Sequence, residues 1–134
     1  MRTVLLVDDE IDALDAFGLL LSFHDFEVVR ALNGFEALEK AERFPPDIVV
    51  TDWMMPRMDG VQLCERLRRD ERLARIPIVM VSAGTVQANG PAAGGRLYDR
   101  FLRKPVLFDS LLGAIEELLA KVDPQPGDPG SSPA

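Results

Sequence analysis

Pro46-Asp47-Ile48-Val49-Val50-Thr51-Asp52-Trp53-Met54-Met55-Pro56-Arg57-Met58-Asp59-Gly60 is the stretch whose reading decides the fold. It opens on a proline turn and continues through strand formers, Ile48 to Thr51, which deliver the carboxylate of Asp52 to a strand's C-terminal end. A loop containing Pro56 follows, and Asp59-Gly60 then opens a helical pattern. Strand, loop and helix in that order place chemistry outside the carboxyl ends of a parallel sheet.

Outward from this stretch the same alternation repeats. Thr3 to Val7 reads as a buried strand ending on Asp8-Asp9-Glu10. Ile11, Leu14, Gly18 and Leu21 then fall at helical spacing and give one apolar stripe to about His24. Phe26 to Ala31 reads as a second strand. Asn33 with Glu36 has capping-box spacing for a helix that carries Ala37, Leu38 and Ala41 and stops at Pro45-Pro46. Asp59 with Gln62 repeats that spacing for a third helix, which buries Leu63, Cys64 and Leu67 and turns outward through Arg66, Arg68, Arg69 and Asp70. Ile76 to Ser82 is a continuous apolar strand, the kind covered on both faces.

From Ala83 to Leu97 the pattern weakens, because Gly84, Gly90, Pro91, Gly94 and Gly95 are poor helix formers. Any helix there is expected to be short, broken or mobile. Asp99 to Arg103 reads as a fifth strand reaching Lys104-Pro105. Leu111, Leu112, Ile115, Leu118, Leu119 and Val122 mark one face of a last helix. Residues 123–134 are rich in Pro, Gly and Ser and read as a flexible tail, so the expected domain is 1–122. Five strands alternating with helices predict a parallel sheet with right-handed crossovers and helices on both faces.

Composition narrows the function classes. The 134 residues suffice for one domain with a core, and 47% apolar with 28% charged residues is an ordinary globular balance. No apolar run approaches a membrane span, and the N-terminus lacks signal-peptide character. A formal charge of −7 argues against direct nucleic-acid binding. The single cysteine, Cys64, excludes an internal disulfide and fits a reducing cytoplasm. Cys64 reads as packing, and His24 as a helix-end residue.

Asp8-Asp9, Asp52, Ser82 and Lys104 each follow a strand, so all arrive at one sheet edge. Clustered carboxylates repel, and a hard divalent cation with oxygen ligands is the simplest neutraliser; Mg²⁺ suits a site of few carboxylates plus waters. A cation, an ammonium and a hydroxyl around one carboxylate make a site for a phosphoryl group on that carboxylate.

This ordered set, with Met54-Met55-Pro56, Asp59-Gly60, Ser82-Ala83 and Lys104-Pro105, resembles the receiver domain of two-component response regulators, over residues 3 to about 122. The resemblance implies a flavodoxin-like fold of strand order 2-1-3-4-5 with five helices, the fourth irregular here. It implies that Asp52 accepts phosphoryl from a sensor histidine kinase or histidine phosphotransfer protein. Asp9, Asp52 and the Met54 backbone carbonyl would ligate Mg²⁺, with Asp8 acting mainly through water. Lys104 would pair with phosphoryl oxygens, and Ser82 and Phe101 would be the switch residues. Such a chain catalyses only its own phosphoryl transfer and hydrolysis, and works through a downstream protein partner. It resembles single-domain, chemotaxis-type regulators, or one domain of a longer protein.

Departures from the family pattern are Leu97-Tyr98 in place of a small Gly-Ala pair, Met54, Gly84 and the glycine-rich segment before them. Two other classes stay in view. A degenerate receiver would be a phosphate-independent scaffold. A haloacid-dehalogenase-like phosphatase would need an aspartate where Met54 stands.

Overall fold

In the computed structural model, which describes residues 1–84 and 97–122, five parallel strands form one sheet of order β2-β1-β3-β4-β5. The strands are β1 (Arg2–Val7), β2 (Phe26–Ala31), β3 (Ile48–Asp52), β4 (Ile78–Ser82) and β5 (Arg100–Arg103). Among the described residues the helices are α1 (Ile11–Phe23), α2 (Gly34–Arg43), α3 (Gly60–Arg69) and α4 (Phe108–Val122). The irregular helix anticipated between β4 and β5, and the tail, lie outside the described residues.

Alternation along the central strands explains the two-sided core. Leu5, Val7, Val49, Ile78 and Met80 point to one face, where they meet Ala37 and Ala41 of α2 and Leu63, Cys64 and Leu67 of α3. Val4, Leu6, Ile48, Val50 and Val79 point to the other, against Leu14 and Leu21 of α1 and Leu111, Ile115 and Leu118 of α4. Strands buried on both faces read as unbroken apolar runs, which is how they stand in the sequence.

Several local expectations need correction. By spacing Ile11 belongs to the apolar stripe of α1, yet it is 59% exposed, while Leu14, Gly18 and Leu21 are buried. Ile11 opens the helix beside the polar edge, where no further turn covers it. The Asn33–Glu36 pair is not a reciprocal capping box. The Asn33 side chain accepts from the Glu36 N–H at 2.8 Å, but Glu36 accepts instead from the Leu32 N–H at 2.6 Å. The box at α3 is complete: Asp59 accepts from Gln62 N–H, and Gln62 accepts from Asp59 N–H.

Arg68 does not turn outward. Its guanidinium folds over the end of α3 and donates to the carbonyls of Leu97, Ala74 and Ile76 and to Asp99. Five donors on one planar group suit a place where several carbonyls converge. Asp99 in turn takes the Ile78 N–H at 2.8 Å, so it braces the start of β4 from just before β5.

Candidate functional site

Each strand of the central trio ends on a group of the polar edge. Asp8 follows β1 and holds its place through its N–H to Ala31 O, at 3.1 Å, and through Oδ1, which accepts from the Glu10 N–H at 2.9 Å. Asp52 is the last residue of β3 and only 6% exposed. The Trp53 N–H donates to Val81 O and the Gly60 N–H to Trp53 O, so the chain turns sharply behind the carboxylate. Gly60 is required at this turn, since a Cβ would drive into the backbone carbonyl of Asp52.

Asp8, Asp9 and Asp52 each bring a carboxylate oxygen within 4.8 Å of the others. This is a donor set fit for a hard divalent cation, oxygen-only and multiply charged. Lys104, carried past the end of β5 and tied to β4 by its N–H to Ser82 O, reaches Asp52 Oδ2 at 3.2 Å. Lys104 thus brings a cation into direct contact with this cluster.

Electrostatics follow from partial burial. Burial pushes the Asp8 carboxyl above its ordinary 3.8; the Glu10 N–H opposes that, the Asp52 charge adds to it and Lys104 draws it back. For Lys104 burial favours the neutral amine, but the Asp52 charge and hydrogen bond, with Asp8 and Glu10, outweigh it and leave the ammonium above 10.5. The lysine is held protonated beside the carboxylate.

Ser82, at the end of β4, is buried, and its Oγ accepts from the Gly84 N–H at 3.0 Å. That bond leaves the hydroxyl proton to donate. Phe101 stands on β5, half-buried, with its ring edge-on to Trp53 at 6.2 Å and tilted against Tyr98 at 6.1 Å. Trp53 and Tyr98 also meet, at 6.5 Å. Met54 is exposed in the loop after Asp52. The bulky Leu97-Tyr98 pair is therefore accommodated as core: both are buried, and Tyr98 closes a ring cluster that links the residue after Asp52 to β5. The Tyr98 hydroxyl has no hydrogen-bond partner among the described residues.

Two features had no signal in the sequence reading. Glu10 both anchors Asp8 through its backbone and borders the site. A cavity of about 530 Å³ opens beside Asp52 and Lys104 and runs inward along Phe17, Val50 and Leu111. The first depends on a turn geometry and the second on how closely α1 and α4 pack, and neither is a matter of residue type.

A parallel sheet of this order, with an acidic trio and a lysine at its carboxyl edge, defines a receiver-type domain. The response regulator receiver domain family matches residues 4–116, and the chain belongs to that family. It is 33% identical over 126 residues to the DNA-binding dual master transcriptional regulator RpaA of Synechocystis sp., covering 92% of this chain and 51% of that protein. It is 35% identical over 123 residues to the response regulator MprA of Mycobacterium leprae, covering 90% and 52%. The chain thus spans about half the length of the curated relatives it matches. The chemotaxis protein CheY4 of Vibrio cholerae superposes with a TM-score of 0.80 at 30% identity, covering 87% of this chain and 98% of that one. No described helix is long and apolar enough to cross a membrane.

Proposed function

We propose that this receiver domain is a phosphorylation-controlled signalling module in which Asp52 accepts a phosphoryl group from a phosphohistidine of a sensor kinase or phosphotransfer protein. The observation that carries this reading is the contact of Lys104 with Asp52 Oδ2 inside the acidic trio. The lysine engages one carboxylate oxygen and leaves Oδ1 to attack phosphorus. The P–N bond of the donor breaks as the O–P bond forms, and the imidazole, which carries a proton on its other ring nitrogen, departs with the electron pair as the neutral ring. Lys104 then neutralises charge on the transferred group, and the Ser82 hydroxyl donates to one of its oxygens.

Asp8, Asp9 and Asp52 would hold Mg²⁺, which when bound supplies further charge neutralisation at the phosphoryl oxygens. The site turns over no separate substrate in this reading. Its chemistry ends with hydrolysis of the acyl phosphate, and the output is altered binding of a partner protein, in a cytoplasmic setting. Support for a docked donor comes from α1, which leaves Ile11, Leu19, Leu20 and Phe23 exposed and starts beside the site, directly after Glu10. Such a stripe suits the apolar side of a partner helix.

The test is to locate the modified residue. The protein is treated with acetyl phosphate and Mg²⁺, reduced with borohydride, and mapped by peptide mass. Reduction converts an aspartyl phosphate to homoserine, and the reading requires that change at Asp52, with none in an Asp52→Asn variant. Homoserine at another aspartate would refute the assignment.

A further inference from the structure

A second polar hollow, of about 250 Å³, lies between the first turn of α2 and the length of α3, and none of its lining takes part in the Asp52 site. Arg57 stands at one end of it and Arg66 and Arg69 at the other, with Gln62 and Glu65 between them and Phe35 on the α2 side. These arginines stand in a chain that is acidic as a whole. It has 22 acidic residues against 15 lysines and arginines. Elsewhere its cations are commonly paired: Arg30 with Asp15, Arg43 with Glu39, Arg68 with Asp99, Arg100 with Glu117. Among the described residues, no ion pair engages Arg57, Arg66 or Arg69.

Helix electrostatics accounts for Arg66 and Arg69, which stand in the last turn of α3 where the dipole favours cations. It does not account for Arg57. That residue precedes the N-cap Asp59, at the helix end that disfavours positive charge, and its backbone is left-handed, with φ at 68°. A side chain kept in a left-handed turn, at the wrong helix end, yet in the same hollow as two other arginines, points to a ligand for all three. Glu65 offsets one charge and leaves the hollow net positive.

We propose that this groove docks an extended acidic peptide segment of a partner protein, with carboxylates meeting Arg57 at one end and Arg66 and Arg69 at the other, and an apolar side chain against the half-exposed ring of Phe35. The spread of charge selects the class. The ten residues of α3 span roughly 15 Å along the helix axis, about the length of five extended residues. Guanidinium groups suit planar, bidentate carboxylates. A nucleic-acid strand fits less well, because the chain as a whole carries −7 and Glu65 sits inside the hollow.

The test is fluorescence anisotropy of the full chain at low salt with a labelled pentapeptide of acidic residues around a central leucine. The lysine counterpart and an oligothymidylate of matched length are run beside it. The acidic peptide is expected to bind, and Arg66→Glu to weaken it about tenfold or more. Arg75→Glu, an equal charge change at an exposed arginine outside the groove, should leave binding within about twofold. Phe35→Ser should weaken it independently of salt, and circular dichroism should show each variant folded. Absence of binding, equal loss in Arg66→Glu and Arg75→Glu, or oligothymidylate binding as tightly as the peptide would overturn the proposal.

Discussion

Cys64 shows how burial alone can set a side chain's chemistry. It stands on α3 with no exposed surface, and burial pushes its thiol up to about 12. Only the thiolate is nucleophilic, so the folded protein should react with iodoacetamide at pH 8 at least 100-fold more slowly than the same protein in denaturant. Comparable rates in the two states would mean that α3 opens far more readily than its packing implies. Glu36 is the opposite case. The Leu32 N–H holds its carboxyl below the ordinary 4.5, against a small effect of burial and with help from Lys40. A carboxyl lowered in the folded state stabilises fully above pH 4.5, and that contribution is lost as pH falls through the lower folded value. Glu36→Gln should therefore reduce stability near pH 7 and lose less on acidification than the parent. Parallel pH–stability curves for the two proteins would contradict the role given to the Leu32 bond.

Arg68 ties together elements that the alternating pattern leaves only adjacent. From α3 it reaches Ala74 and Ile76 before β4, and Leu97 and Asp99 before β5. Its side chain is 19% exposed, so these are partly buried, charge-assisted bonds. Arg68→Lys keeps the charge but not the planar fork, and it should lower unfolding free energy by about 2 kcal/mol, read by urea denaturation. A loss no larger than that of an exposed Arg75→Lys change would show that the bonds contribute little. The sequence reading sent Arg68 outward because helical spacing describes where a Cβ points. It says nothing of a long side chain that curls back over the helix end to find carbonyls. The same limit hid the Leu32 partner of Glu36, since capping-box spacing names a pair of residue types and not the backbone N–H that a longer side chain will choose.

Across the molecule, what the sequence made legible was the topology and the polar edge. Apolar runs bounded by turns mark the strands, their alternation with helices forces parallel pairing, and parallel pairing brings every carboxyl end to one side. That logic alone puts Asp8, Asp9, Asp52, Ser82 and Lys104 at one edge, and there the acidic trio gathers with its lysine contact. The cavity beside Asp52, the Trp53–Tyr98–Phe101 ring cluster and the arginine groove were not legible. Each depends on how two elements meet, which residue order does not specify. Tyr98 is the plainest example: as a residue type it only departs from a pattern of small side chains, while in the fold it joins Trp53 to Phe101.

The central claim is that this edge makes Asp52 a phosphoryl acceptor that works with a divalent cation. Intact mass after incubation with acetyl phosphate and Mg²⁺ tests it most directly. The account predicts the gain of one phosphoryl group, absent with EDTA and absent in Asp52→Ala. A folded protein that gains no phosphoryl group, or gains one equally well without Asp52 or without the cation, would contradict it.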